Sequence, residues 1–226
     1  MLAFLFPGVA SAAILIVRHA FNVGATPSPL ADVVPGHPLA NLLLGIPAYF
    51  QVAAIVPLAL LLLRRTGQSS AALGLAVPGA ISDIWPAIGL VAAGFLGNAV
   101  LAIPFAPLLD NHPGLINPVR VGQVPHYYVI YGLTVAAATA IAEETVVNGY
   151  LLVRLEQLGW RPQRALLLSL TLRTSYHIYY GVGFLFTIPI GYFLTRSFQK
   201  RRRLTRPIVA HFLYDAVLST IAVLAS

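Results

Sequence analysis

Residues 126–152 read HYYVIYGLTVAAATAIAEETVVNGYLL, and this stretch decides the fold. It is long enough to cross ~30 Å of hydrocarbon as a helix, which takes about 20 apolar residues. Near its end it also carries two adjacent acids, Glu143 and Glu144. A charge at the bilayer centre costs roughly 2.5–3.5 kcal/mol on insertion scales, so such residues are rare and are either functional or paired. The small residues of VAAATAIA, Val135 to Ala142, let neighbouring helices approach closely. The helix that presents the acids is therefore expected to be firmly held.

Outward from this stretch, similar apolar runs recur. They read as spans from Leu2 to Val17, Leu39 to Leu63, Trp85 to Leu109, Ala165 to Tyr180, Val182 to Phe198 and Pro207 to Ala225. The composition agrees: 58% of the 226 residues are hydrophobic and 9% are charged, against roughly 25% charged in an ordinary soluble domain. The expectation is an all-α integral membrane protein, a polytopic helical bundle of about seven transmembrane helices. Residues 1–125 supply about three of them, and residues 126–226 about four. Trp85, Tyr127, Tyr128, Tyr179 and Tyr180 fall near span ends, where amphipathic rings favour the headgroup level. The segment from Thr66 to Asp83, with Gly, Ser and Pro among apolar residues, reads as a loop or a helix lying in the interface.

Cysteine is absent, which excludes disulfides, thiolate metal sites and a Cys nucleophile. The first apolar run lacks the basic leader of a secretory signal and reads as the first span. The net charge of +7 is not a nucleic-acid footprint, because the cations sit in short loops between apolar runs; an anionic cytoplasmic leaflet is the partner it suggests. Those cations also set a topology. Arg64, Arg65, Arg154, Arg161, Arg164, Arg196, Lys200, Arg201, Arg202, Arg203 and Arg206 fall in loops on one side, whereas the other side holds Arg18 and Arg120. The richer side stays in the cytoplasm. A multi-pass protein of the cell membrane is expected, with a cytoplasmic amino terminus and an outer carboxyl terminus.

His177, His211 and Asp215 also lie in apolar spans. His211 precedes Asp215 by four residues, which places both on one helix face. The same spacing pairs Glu144 with Asn148 and Arg173 with His177. Glu143 and Glu144 lie about 100° apart around a helix, so one is expected to act and the other to support it. Counting ~1.5 Å per residue, Glu143 lies about 15 Å in from Arg154, Asp215 about 14 Å in from Arg206, and His177 about 20 Å in from Arg164, so the fifth helix must tilt or start later. Taken singly, each feature has a plainer meaning: a structural ion pair, a transporter's proton site, or a clasp between helices.

Taken in order they say more. EETVVNGYL (Glu143 to Leu151), SYH (Ser175 to His177) and HFLYD (His211 to Asp215) resemble the three motifs of the CPBP family of intramembrane proteases, relatives of the CAAX prenyl endopeptidases. That pattern is Glu-Glu-x-x-x-Arg, Phe-x-x-x-His and His-x-x-x-Asn/Asp. The resemblance makes residues 126–226 a catalytic helical core. It implies Glu143 as general base, His177 as its helper in activating water, and His211 with Asp215 as groups that polarise the scissile carbonyl. Glu144 becomes an orienting residue.

The family is often described as metalloproteases, and Glu143, His177 and His211 are chemically suitable zinc ligands; a metal-free glutamate mechanism uses the same residues. The implied substrate is a membrane-associated peptide or protein. The rivals are a catalytically silent relative that binds a partner or confers immunity, and a small ion-coupled transporter. This chain departs from the pattern twice, with Asn148 where the family has Arg and Arg173 where it has Phe. The two departures read as one exchange, in which Arg173 supplies Glu144 with the cation usually drawn from position 148.

Overall fold

The computed structural model describes residues 37–65, 67–69, 80–111 and 125–225. The span expected from Leu2 to Val17 lies outside these residues. Regular structure among them is helical throughout: α1 (Pro38–Ala53), α2 (Ile55–Arg64), α3 (Ala80–Asn111), α4 (Tyr128–Glu143), a π-helical segment (Glu144–Leu151), α5 (Leu152–Gln157), α6 (Pro162–Ser175), 3-10 turns at Ile178–Tyr180 and Val182–Phe186, α7 (Thr187–Arg201) and α8 (Thr205–Leu224).

Among the described residues three helices are long and apolar enough to cross a membrane: Ser82–Leu108, the continuous run Tyr128–Gln157, and Thr205–Leu224. The described residues are thus helical, with helices of membrane-spanning length and apolarity. Several expected spans differ. The run from Leu39 to Leu63 is broken at Ala54 into α1 and α2. The fifth span starts earlier than expected, at Pro162, and stops at Ser175; proline suits the first turn, where its missing N–H has no partner to lose. The sixth starts with 3-10 turns and becomes α-helical only at Thr187. Fourteen and fifteen residues reach only about 21–23 Å. Hydropathy continues through residues 176–186, but the backbone turns there, with Gly181 at φ 61°, a conformation that glycine adopts without steric penalty.

The bundle centres on α4 and α8, which run antiparallel. Tyr128 and Tyr131 cluster with Val223, Gly132 faces Ser219, and Glu144 meets His211. A Cβ on Gly132 would stand 3.0 Å from that of Ser219, so the small residue sets how closely the helices approach. On the other side of α8, Phe95 of α3 stacks on Tyr214 with ring centroids 4.5 Å apart, and Asn98 Nδ2 donates to the Tyr214 hydroxyl at 2.5 Å.

The basic loops meet at one end of the bundle. Arg154 donates to Leu62 O at 3.3 Å, Gln199 to Pro162 O at 2.8 Å and Arg202 to Glu156 at 2.6 Å. Asp83, expected in a loop or an interfacial helix, is instead fully buried in the first turn of α3. It pairs there with Arg203 and Arg206, each at 3.0 Å, and accepts from the Thr205 hydroxyl at 2.6 Å. A carboxylate buried this completely requires such partners.

Candidate active site

The acids stand where α4 passes into the π-helical segment. A π turn bonds each N–H to the fifth residue back, widens the helix and commonly occurs at functional sites. Here it carries Glu144, Thr145, Val146, Val147, Asn148 and Gly149 buried in succession. Residues buried this way must satisfy their polar groups within the bundle, and here the Thr145 hydroxyl alone of them takes no partner among the described residues.

Glu144 finds them on both oxygens. Oε1 lies 2.7 Å from Arg173 Nη2 and 2.8 Å from His211 Nδ1, while Oε2 accepts from Asn148 Nδ2. Asn148 Oδ1 in turn accepts from the Thr195 hydroxyl at 2.8 Å, and that hydroxyl is 3.4 Å from Ser169 Oγ. Glu143 is placed differently. Its Oε2 accepts from the Tyr176 hydroxyl at 2.5 Å and lies 3.4 Å from Arg173 Nη1, while its Oε1 takes no partner among the described residues. Arg173 therefore straddles the acids with one terminal nitrogen each, and the contact expected with Glu144 is the shorter one.

Gly191 makes room for this guanidinium. A Cβ there would fall 2.8 Å from Arg173 Cδ and 3.2 Å from Leu170 Cδ2, and Arg173 is anchored at its far end by two carboxylates. Gly191→Ala is expected to destabilise the protein by about 1–3 kcal/mol, the usual range for overpacking, measured by unfolding in mixed detergent micelles. Stability within ~0.5 kcal/mol of the parent would show that the arginine stem is not confined.

His211 uses both ring nitrogens: Nδ1 towards Glu144, and Nε2 towards Asp215 Oδ2 at 3.2 Å. Two carboxylates facing one imidazole suit a ring with a proton on each nitrogen. Asp215 is the more open partner, with a third of its side chain exposed. The four-residue spacing read in the sequence thus places the pair in contact.

His177 sits in the turn beyond α6, its N–H bonded to Thr174 O at 3.1 Å. Its Nδ1 is 2.8 Å from Arg173 O, so Nδ1 carries a proton. Its ring lies between Tyr176 and Tyr180, with centroids 4.6 and 5.6 Å away. It thus adjoins the cluster through Tyr176 and the Arg173 backbone.

Tyr176, Thr195 and Ser169 were not anticipated. Only Tyr176 gave a signal, as a phenol in an apolar run next to a motif histidine, since a buried Tyr hydroxyl ordinarily finds a partner. Tyr176→Phe should cost about 1.5–3 kcal/mol, the range for a hydrogen bond to a charged group, read in the same unfolding assay. An unchanged midpoint would show that the contact contributes nothing.

The zinc set read from the sequence does not fit this geometry. Both nitrogens of His211 face carboxylates, leaving no lone pair for a metal, and Glu143 Oε2 is engaged by Tyr176 and Arg173. Among the described residues no group of three or more His, Asp or Glu stands ready to hold a metal ion.

Residues 125–217 match the family model described as "Type II CAAX prenyl endopeptidase Rce1-like". That match agrees with the resemblance carried by the three motifs. Every candidate site residue from Glu143 to Asp215 lies inside it. No curated protein and no solved structure matches the chain.

Proposed function

With its segment 125–217 matched to the Rce1-like endopeptidases, we propose that this chain is an intramembrane endopeptidase that hydrolyses a peptide bond of a membrane-associated peptide or protein. One observation carries the reading. Of two adjacent buried acids, Glu144 has both oxygens engaged, whereas Glu143 keeps one oxygen without a partner among the described residues. A general base needs an open oxygen within reach of the water it deprotonates.

Glu143 takes a proton from water, and the resulting hydroxide attacks the scissile carbonyl carbon. The proton then passes to the departing amine. His177 helps orient the water. The developing oxyanion takes the Nε2–H of His211, displacing Asp215, whose contact is the longer of the two made by that ring. Glu144 and Arg173 hold His211 and Glu143 in place. In a water-poor cavity, one well-placed donor of this kind contributes ~10²–10³ in rate.

The topology proposed with this reading is a bundle of about seven helices in which α6 and α7 form a hairpin entering and leaving at the basic end. Because that hairpin starts and finishes on the same side, its short helices leave the orientation unchanged. The contacts among the Arg-rich loops favour a cytoplasmic basic end, with the carboxyl end of α8 opposite. Residues 126–226 then form the catalytic core, and residues 1–125 supply supporting helices.

The test is incubation of the purified protein, in bilayers, with a library of membrane-anchored peptides. Cleavage by the parent that is absent from Glu143→Gln supports the reading. No cleavage by either favours the second reading, a silent relative that binds a partner protein, which draws support from the extent to which the cluster satisfies itself.

A further inference from the structure

Outside the candidate site, a cavity of about 220 Å³ opens between α3, α7 and α8 at the basic end. Leu90 and Phe193 give it apolar walls, and Arg196, Lys200, Arg201 and Arg206 surround it with cations. We propose that this groove binds one anionic phospholipid, its phosphate among the cations and the start of an acyl chain against Leu90 and Phe193.

The packing of α3 on α7 explains why the groove is there. The two helices run antiparallel and approach closely at two glycines. A Cβ on Gly97 would lie 2.7 Å from Pro189, and one on Gly94 would lie 2.8 Å from Ile190. One turn further towards the basic end, α3 presents Leu90 in place of glycine, and its side chain forms one wall of the groove. On α7, residues 193, 196, 197 and 200 recur at helical spacing and share one face. That face changes from apolar Phe193 to the cations within two turns. The change matches the step from hydrocarbon to headgroups.

Charge selects the occupant. Among the described residues no acid lines the groove. The nearby Asp83 is already paired with Arg203 and Arg206, and Arg196 Nη1 donates to neutral Gln199 at 3.1 Å. The negative end of α7 offsets only about half a charge, well short of what these cations carry. A soluble phosphate would satisfy the cations and leave Leu90 and Phe193 unused, whereas a phospholipid occupies both parts.

The experiment titrates detergent-purified protein with phosphatidylglycerol, phosphatidylcholine or glycerol phosphate, and counts bound molecules by native mass spectrometry. Saturable binding of one phosphatidylglycerol is expected, at least about tenfold tighter than phosphatidylcholine and far tighter than glycerol phosphate. Changing Arg196, Lys200 and Arg201 together to Ala should weaken it on the order of 10²-fold, from three cations at the membrane surface. Changing Arg64, Arg65 and Arg161 to Ala alters net charge equally but lies outside the groove, and should have little effect. Phe193→Ala, which keeps every charge, should weaken phosphatidylglycerol and leave glycerol phosphate unchanged.

Equal binding of the two lipids by the parent would overturn the proposal without recourse to any variant. Equal losses in the two triple variants would reduce the effect to diffuse surface attraction, and equal binding of glycerol phosphate would replace the lipid with a soluble ligand.

Discussion

Glu143→Gln is expected to reduce cleavage by about 10²–10⁴, the usual share of a general base, while the protein still folds and purifies. The structure explains why activity and stability should separate here. Glutamine keeps a carbonyl oxygen for the Tyr176 hydroxyl, and Arg173 keeps its closer partner, Glu144, at 2.7 Å. Glu144→Gln should behave in the opposite sense. It removes the charge shared by Arg173 and His211, both of them buried. Loss of one partner from a buried ionic group typically costs 3–5 kcal/mol, so this variant should fail in unfolding assays before its activity can be assessed. Two adjacent acids of identical chemistry would then differ by role. Activity of Glu143→Gln within about tenfold of the parent would remove it as the base. Equal destabilisation by the two variants would show that both acids are structural.

The same contrast shows what the sequence could convey. Glu143 and Glu144 stood out because charge is costly in hydrocarbon, and their surroundings are apolar enough to make them visible. The pairs at four-residue spacing, Glu144 with Asn148 and His211 with Asp215, were legible because a helix converts that spacing into contact; both contacts are present. Thr195 and Ser169 were not legible. Neutral hydroxyls are common in membrane helices, where they satisfy themselves locally, and periodicity does not mark the few that reach across. Asp83 was misplaced for a different reason. Its neighbours in sequence read as a loop or an interfacial helix, and its partners, Arg203 and Arg206, are brought to it only by the packing of α3 against α8. The fifth and sixth spans were drawn too long because hydropathy registers solvent and not backbone direction. Residues 176–186 are apolar enough to stay in the membrane, yet they turn there.

Arg173 is the residue on which the site's stability is expected to depend most. Arg173→Phe restores the family's usual side chain but leaves Glu143 and Glu144 side by side, with His211 as the remaining cationic partner of Glu144. Both acids are almost wholly buried, and a stability loss of about 3–5 kcal/mol is expected, enough to eliminate much of a typical margin of 5–15 kcal/mol. Adding Asn148→Arg should recover part of it. Asn148 already donates to Glu144, so a longer cationic side chain starting at that position points at the same carboxylate. The recovery should be partial, because Asn148 Oδ1 also accepts from Thr195 at 2.8 Å, and arginine has no acceptor to offer that hydroxyl. Thr195→Val in the double variant should therefore be less harmful than Thr195→Val in the parent. The unfolding free energies of the parent, both single variants and the double variant form a thermodynamic cycle whose coupling term measures the exchange directly. A favourable coupling of 1 kcal/mol or more is expected, of the size found between residues that share a network. A double variant no more stable than Arg173→Phe alone would mean that positions 148 and 173 do not trade one cation. Arg173 would then be a feature peculiar to this chain, and its grip on both acids would favour the silent, partner-binding reading over catalysis.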